Sequence, residues 1–437
     1  MIPLRADDVR DALQTGPAGL RFAVVPVDAE PLAFVRAGSR RIEGAFYFSS
    51  PDGTALGGLG VARKVSASGA QRFSKLRASV EALDLPAPFR ALAGFSFAPD
   101  GPRSDAWSSF GAADAVVPLA TVLRMGSQRY LLLAVPAEVE VADLIDLLRS
   151  LEPAGDAPFP NLGAHRLVSS PPVSEWTTAV REAVDAIAED SIRKVVLARS
   201  VVIGSDEAPD GFDVVAHLER LYRRCFGFGW QANGATFVGA SPELLVRLGD
   251  GTITTNPLAG TTRRGEGEAE DRALAEALLE SEKDRIEHRF VVDDIVRRLE
   301  PLTDALDVPD GPSLKRMATV QHLSTRISGS ARSGTHVLDV VDALHPTPAV
   351  GGTPRAEAQA FIDKAESFDR GWYTGGIGWL DGAGAGEFAI GLRCGLLEGT
   401  RAHVFAGAGI VADSDPEAEL VETRLKLRPL LELLAAT

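Results

Sequence analysis

SPELLVRLGDGTITTNPLAGT, Ser241 to Thr261, is the stretch that decides the fold class. Asp250-Gly251 is a dipeptide favoured in two-residue type I′ turns, where both central residues need positive φ, and it separates an apolar run from a threonine-rich one. The segment therefore reads as an antiparallel hairpin. Counting outward from the turn pairs Leu248 with Ile253 and sets Glu243 opposite Leu258, so Glu243 and the loop Pro257 to Thr261 become neighbours. Upstream, RKVVLARSVVI from Arg193 to Ile203 is dense in β-branched residues and predicts a strand. Before it, Trp176, Val180, Val184 and Ile187 recur at helical spacing. Downstream, the pattern predicts one long helix from about Glu266 to Leu299, Gly-punctuated strands from Gly376 to Gly409, and a closing helix from about Ser414 to Leu434. Pro416 and a Ser414-x-x-Glu417 capping box mark the start of that last helix. Strands outnumber βαβ crossovers, which predicts an α+β fold of mainly antiparallel sheets with helices packed outside.

The residues before this region read as short strands with glycine turns, including a hairpin through Gly126 and Ser127 into Tyr130 to Val135. The Pro-rich stretch Glu152 to Pro172 marks a boundary, dividing a strand-rich region 1–160, read as part of the same fold, from a catalytic core 161–437. The only charge run, Thr261 to Arg272, reads as an acidic helix start.

Composition narrows the function. The chain has 437 residues, 45% hydrophobic and 24% charged, which excludes intrinsic disorder and small disulfide scaffolds. A net charge of −15 repels nucleic acid and anionic lipid, so neither is expected as a partner, and an anionic ligand would need its own cationic residues or a metal. Cys225 and Cys394 are the only cysteines, too few for a thiolate zinc cluster. MIPLRADDVRDALQ at the N-terminus carries acids where a secretory leader needs a positive flank. A soluble, cytoplasmic, monomeric protein is expected.

Four groups of residues could carry chemistry. Lysine is scarce, with only Lys64, Lys75, Lys194, Lys283, Lys315, Lys364 and Lys426 present. Lys194 sits within an apolar strand, where a desolvated amine could act as a base; the alternative is a sheet-edge lysine snorkelling to water. Glu243 follows Pro242 in an apolar setting that would raise its pKa and suit a general acid, or it could face water at a strand start. Glu419, Glu422 and Lys426 share one helical stripe, and Glu287 lies one turn after Lys283. Carboxylates converging from two helices without a His or Cys cluster suit Mg²⁺ rather than zinc, whereas solvated i,i+4 pairs would explain each helix separately. In FAIGLRCGLL, Phe388 to Leu397, alternation puts Arg393 among Ala389, Gly391 and Gly395 on a face with room for a carboxylate ligand. The AGAGI loop, Ala406 to Ile410, lacks a Walker GK[ST] and a full GxGxxG, so no nucleotide site is supported.

Taken together, KVVLARS, GASPELLVR, NPLAGTTRR, SEKDRIEH, LHPTPAVGGTP, DRGWYTGGIGWLD, FAIGLRC and AGAGIVADSDPEAELVETRLKL resemble, in order, the motifs of the chorismate-utilising enzymes, and among them the isochorismate synthases. The likeness spans about Trp176 to Leu434. It implies two large antiparallel sheets around a site for chorismate and Mg²⁺. It further implies that Lys194 activates water for attack at ring C2 and that Glu243 protonates the departing C4 hydroxyl. Glu287 and Glu422 would hold Mg²⁺ with Glu419 nearby, and Arg393 and Tyr373 would bind the enolpyruvyl carboxylate with the amides of Gly407 and Gly409. Lys426 would lie near the metal-bound carboxylate, His345 would face the reacting ring, and Ala259, Gly260 and Thr261 would contact substrate. Anthranilate synthases usually lack the lysine found at Lys194, and aminodeoxychorismate synthases typically have a lysine where this chain has Ala259. Water, rather than an amine, is the nucleophile these positions imply, with the product serving menaquinone or siderophore synthesis. A salicylate synthase on the same scaffold and a silent small-molecule binder are the competing readings.

Overall fold

The protein is described here from a computed structural model, over residues 6–160, 166–317 and 320–435. Every strand pairing in it is antiparallel, and the strands form sheets of thirteen, nine and three members. The expected α+β architecture is what the chain adopts, with eleven α-helices among the described residues.

Strands from the two halves of the sequence interleave. In the thirteen-stranded sheet, Ala45–Ser49 pairs with Phe226–Ala232, so N-terminal strands continue directly into Ala235–Ser241, Cys394–Glu398, Arg401–Ile410 and Lys194–Gly204. In the nine-stranded sheet, Arg90–Phe95 pairs with Gly376–Asp381. The division at 160/161 thus marks a linker in sequence while both sheets cross it; residues 161–165 lie outside the described residues. The hairpin at Gly126-Ser127 forms as expected, Met125 facing Gln128.

Alternation within one strand shows how the layers are built. Phe46 and Phe48 join a core shared with the nine-stranded sheet (Leu245, Ile377, Phe388), whereas Ala45 and Tyr47 point to the opposite side. That opposite side is covered by Pro31–Gly38, Val141–Arg149, Gly211–Leu221 and the last helix, through Phe34, Leu144, Phe212 and Leu430. Two sheets therefore face each other across an aromatic core, with helices outside.

Four expectations need correction. The Asp250-Gly251 hairpin has the predicted register at Leu248 and Ile253, but a bulge between Leu244 and Arg247 adds a residue to that strand. Leu244 accordingly faces Asn256, and Glu243 slips from its place opposite Leu258. The long helix is two, Glu268–Glu280 and Glu282–Leu299, because Ser281 is extended and its side chain caps the second by accepting the Asp284 N–H. At the last helix, Pro416–Leu434, the cap is Asp415, which accepts from Glu417 and Ala418; the Ser414 hydroxyl instead donates to Glu419. Finally, FAIGLRCGLL is not one strand. Gly386–Ile390 belongs to the nine-stranded sheet and Cys394–Glu398 to the thirteen-stranded one, and Arg393 turns the corner with φ of 50°.

Candidate active site

The change of sheet at Gly391–Arg393 opens onto a cavity of about 250 Å³. The strand Lys194–Gly204 supplies Lys194 and Val196 to its wall, the corner before Leu244–Gly249 supplies Glu243, and the helix Glu282–Leu299 supplies Lys283, Asp284 and Glu287. Glu419, Glu422 and Lys426 enter from the last helix, and Gly407 and Gly409 from Arg401–Ile410. Ala259, Gly260, Thr261, Tyr373 and Arg393 complete the set, so every site residue expected from the sequence except His345 lines one cavity.

Lys194 is 1% exposed, and its Nζ lies 2.9 Å from Glu287 Oε1. The sheet-edge alternative is therefore excluded: Lys194 pairs with Thr353 on one side, and Val195 pairs with Ile410 on the other. Glu243 is 3% exposed, and burial pushes its carboxyl up to about 7. The Leu258 N–H, which it accepts despite the bulge, and the charges of Lys194, Lys315 and Lys426 oppose that rise. A carboxyl poised near neutrality can serve as an acid, and a buried amine lining the same cavity can serve as a base once it has given up its own proton.

Acidic groups gather on one side. Burial raises the Glu419 carboxyl, and repulsion from Glu422 and Glu287 adds to it against Ser414 and Lys283. Asp284 is raised by burial and then by Glu287 and Glu422. Each glutamate is answered by a lysine, two of them from another element: Glu287 by Lys194 at 2.9 Å and Glu419 by Lys283 at 3.4 Å, while Glu422 meets Lys426 of its own helix at 2.5 Å. Lys283 thus reaches another helix instead of bridging to Glu287, so the solvated-pair reading fails for Glu282–Leu299 and holds only for Glu422 and Lys426. As arranged, no three acidic or imidazole groups among the described residues converge to chelating distance. Mutually repelling oxygen donors from two helices nevertheless fit a hard divalent cation, which would replace the lysine contacts.

The opposite side suits an anion. Arg393 donates to the Lys426 carbonyl at 3.3 Å, and Tyr373 stacks on Phe405 with centroids 5.2 Å apart. Gly407 and Gly409 face Ala198 and Val196 across the ladder. Because Ala198 N–H goes to Glu366 and Val196 N–H to Gly351, these are non-hydrogen-bonded pairs, and the amides of Gly407 and Gly409 also turn away from that strand. The Gly407 carbonyl turns the same way, accepting from Lys426 Nζ at 2.9 Å. Gly409 has a further reason to lack a side chain: a Cβ there would sit 2.5 Å from Glu287 Oε1.

His345 is the exception. It is 4% exposed, packed edge-on against Phe95 and Phe97, with Nε2 3.4 Å from the Phe97 carbonyl, and it does not line the cavity. The residues after it do, as Ala349 and Val350, because the chain turns between them. The imidazole in the wall is His322, whose Nδ1 is 3.0 Å from the Thr261 hydroxyl and whose pKa is driven well below the usual range by burial. Its signal was a histidine within the buried strand Val320–Ser324, visible only if that strand is known to pair with Leu258–Arg263.

Comparison with known proteins identifies the family. Residues 9–435 match the family described as chorismate binding enzyme. A salicylate biosynthesis isochorismate synthase of Pseudomonas aeruginosa is 39% identical over 431 residues, covering 95% of this chain and 89% of the relative. The isochorismate synthase MenF of Bacillus subtilis is 35% identical over 347 residues, covering 78% of this chain and 74% of the relative. Among solved structures, MenF, the menaquinone-specific isochorismate synthase from Escherichia coli, superposes with a TM-score of 0.84 at 28% identity, covering 97% of both chains. The chain belongs to the chorismate binding enzyme family.

Proposed function

We propose that this protein is an isochorismate synthase, an isomerase that adds water at C2 of chorismate and expels the C4 hydroxyl. The observation that carries this reading is a single cavity lined by both a buried amine, Lys194, and a buried carboxyl raised to about 7, Glu243. Lys194 takes a proton from water as its oxygen attacks C2, the ring double bonds shift, and the C4–O bond breaks. Glu243 gives its proton to the leaving hydroxide, so one water enters, one leaves, and the product is an isomer of the substrate. Arg393 and Tyr373, with the outward amides of Gly407 and Gly409, bind the enolpyruvyl carboxylate and fix the ring between base and acid. Glu287, Glu419 and Glu422 would hold Mg²⁺, which supplies charge neutralisation and orientation for the ring carboxylate. In a protein of net charge −15, that cation, Arg393 and Lys426 together reverse the local field for a dianionic substrate. Lys194 and the small Ala259 favour water over an amine as nucleophile.

Incubation of the purified protein with chorismate and Mg²⁺, followed by separation of products, tests the reading. Isochorismate alone is expected; salicylate with pyruvate would assign a salicylate synthase, and no turnover would refute catalysis. In the same assay Lys194→Ala should lose turnover by about 10²-fold or more while keeping its fold. Near-normal activity would remove Lys194 from the mechanism.

A further inference from the structure

Lys315 lies outside the cavity wall, in the strand Ser313–Arg316 of the three-stranded sheet. Its Nζ donates to the Pro242 carbonyl at 2.6 Å, across 73 residues of sequence. Pro242 and Glu243 form the corner between the strands Ala235–Ser241 and Leu244–Gly249, so this bond grips the peptide beside the acid. Three amines act on Glu243 from three elements: Lys194, Lys315 and Lys426. The first and last each touch a carboxylate, Glu287 and Glu422, that answers their charge. Among the described residues Lys315 makes no such pair; the groups facing it are Glu243, the Cys225 thiol and the His322 imidazole. A partly buried amine bonded only to a carbonyl, and left with an unanswered charge, is costly unless its field is used.

We propose that Lys315 is a positioning residue for the acid: it clamps the Ser241–Glu243 corner and supplies the positive field that keeps the Glu243 carboxyl able to release its proton. The proposal rests on reading Glu243 as the acid. Without that field, an apolar wall would hold the carboxyl protonated too firmly to donate efficiently at neutral pH. The sign follows from charge: removing the ammonium raises the pH at which Glu243 ionises.

The test is infrared difference spectroscopy of the metal-free protein, with the protonated-carboxyl band assigned by its loss in Glu243→Gln and followed against pH. Lys315→Met and Lys315→Gln should move the midpoint up by about one unit. Lys315→Arg, which keeps the charge, should leave it within about 0.3 unit. The glutamine variant retains a donor for Pro242 and serves if the methionine variant does not fold. With chorismate, kcat should fall roughly tenfold in the uncharged variants while KM stays within about twofold. An unmoved midpoint in Lys315→Gln overturns the proposal, as does an equal shift in Lys315→Arg. Loss of turnover in Glu243→Gln with an unmoved midpoint in Lys315→Gln would sink this proposal alone. Full turnover in Glu243→Gln would sink the acid assignment beneath it.

Discussion

Gly409 offers a sharp test of the site, because adding one methyl group there meets the catalytic machinery before it meets the fold. A Cβ at Gly409 would stand 2.5 Å from Glu287 Oε1 and 3.1 Å from Lys194 Cε. Ordinary contact begins at 3.4 Å, so the carboxylate must shift by about 0.9 Å, which disturbs the geometry of its 2.9 Å contact with Lys194. Displacement of a reacting or ligating group by about 1 Å costs on the order of 10²-fold in rate. The fold should hardly notice. Gly409 has no positive φ, and the atom in conflict is the mobile end of a glutamate, so the stability cost stays below about 1.5 kcal/mol. Gly407 is the contrast: a Cβ there meets the Leu197 carbonyl at 2.9 Å, backbone that cannot yield, and should cost about 1–3 kcal/mol. The assay pairs the rate of isochorismate formation with thermal unfolding of each variant. For Gly409→Ala we expect turnover reduced about 10²-fold with Tm within about 3 °C of wild type. Turnover within about twofold of wild type would show that the Lys194–Glu287 geometry does not govern the reaction.

Other outcomes follow from the same geometry. Glu243 ionises at about 7 in the folded chain against an ordinary 4.5, so the native state holds an extra proton between those values. Stability should then be full below pH 4.5 and fall by up to about 3 kcal/mol as pH rises through 7, a loss absent from Glu243→Gln in denaturant titrations at pH 5 and 8. Glu287→Gln and Glu422→Gln should each raise the Mg²⁺ concentration for half-maximal activity by at least about tenfold. Replacing Lys64, which pairs with Asp114 on the far sheet edge, should leave it unchanged, and identical behaviour of all three variants would discard the metal assignment. His322→Ala should lower kcat/KM at least about tenfold, whereas His345→Phe should keep it within about threefold; the reverse result would restore His345 to the site.

Features carried by a few consecutive residues could be read without a structure. The Asp250-Gly251 turn, the strand around Lys194 and the helix from Pro416 each depend on backbone preferences that neighbouring residues set. The errors lie where two local signals compete or where a distant partner decides. Ser414 and Asp415 both suit an N-cap; Asp415 takes the position because the Ser414 hydroxyl is engaged by Glu419. Period-two alternation in Phe388 to Leu397 is genuine, yet it says nothing of which sheet each half joins, and the left-handed turn at Arg393 needs no glycine to announce it. Helical spacing placed Lys283 beside Glu287, but its ammonium reaches Glu419, 136 residues away. His345 and His322 look alike as isolated histidines; only the packing of Phe95 and Phe97 removes one from the cavity, and only pairing with Leu258–Arg263 brings in the other.

From the sequence alone came the antiparallel class, the scarcity of lysine, the acidic background that any anionic ligand must overcome, and the family likeness of eight ordered motifs. Those are properties of composition and of short-range order. The tertiary structure decided which charges meet: Lys194 with Glu287, Lys283 with Glu419, and Lys315 with the carbonyl beside Glu243. Charge pairing depends on separation in space and on exclusion of water, and neither quantity is defined until the sheets and helices have closed around the cavity.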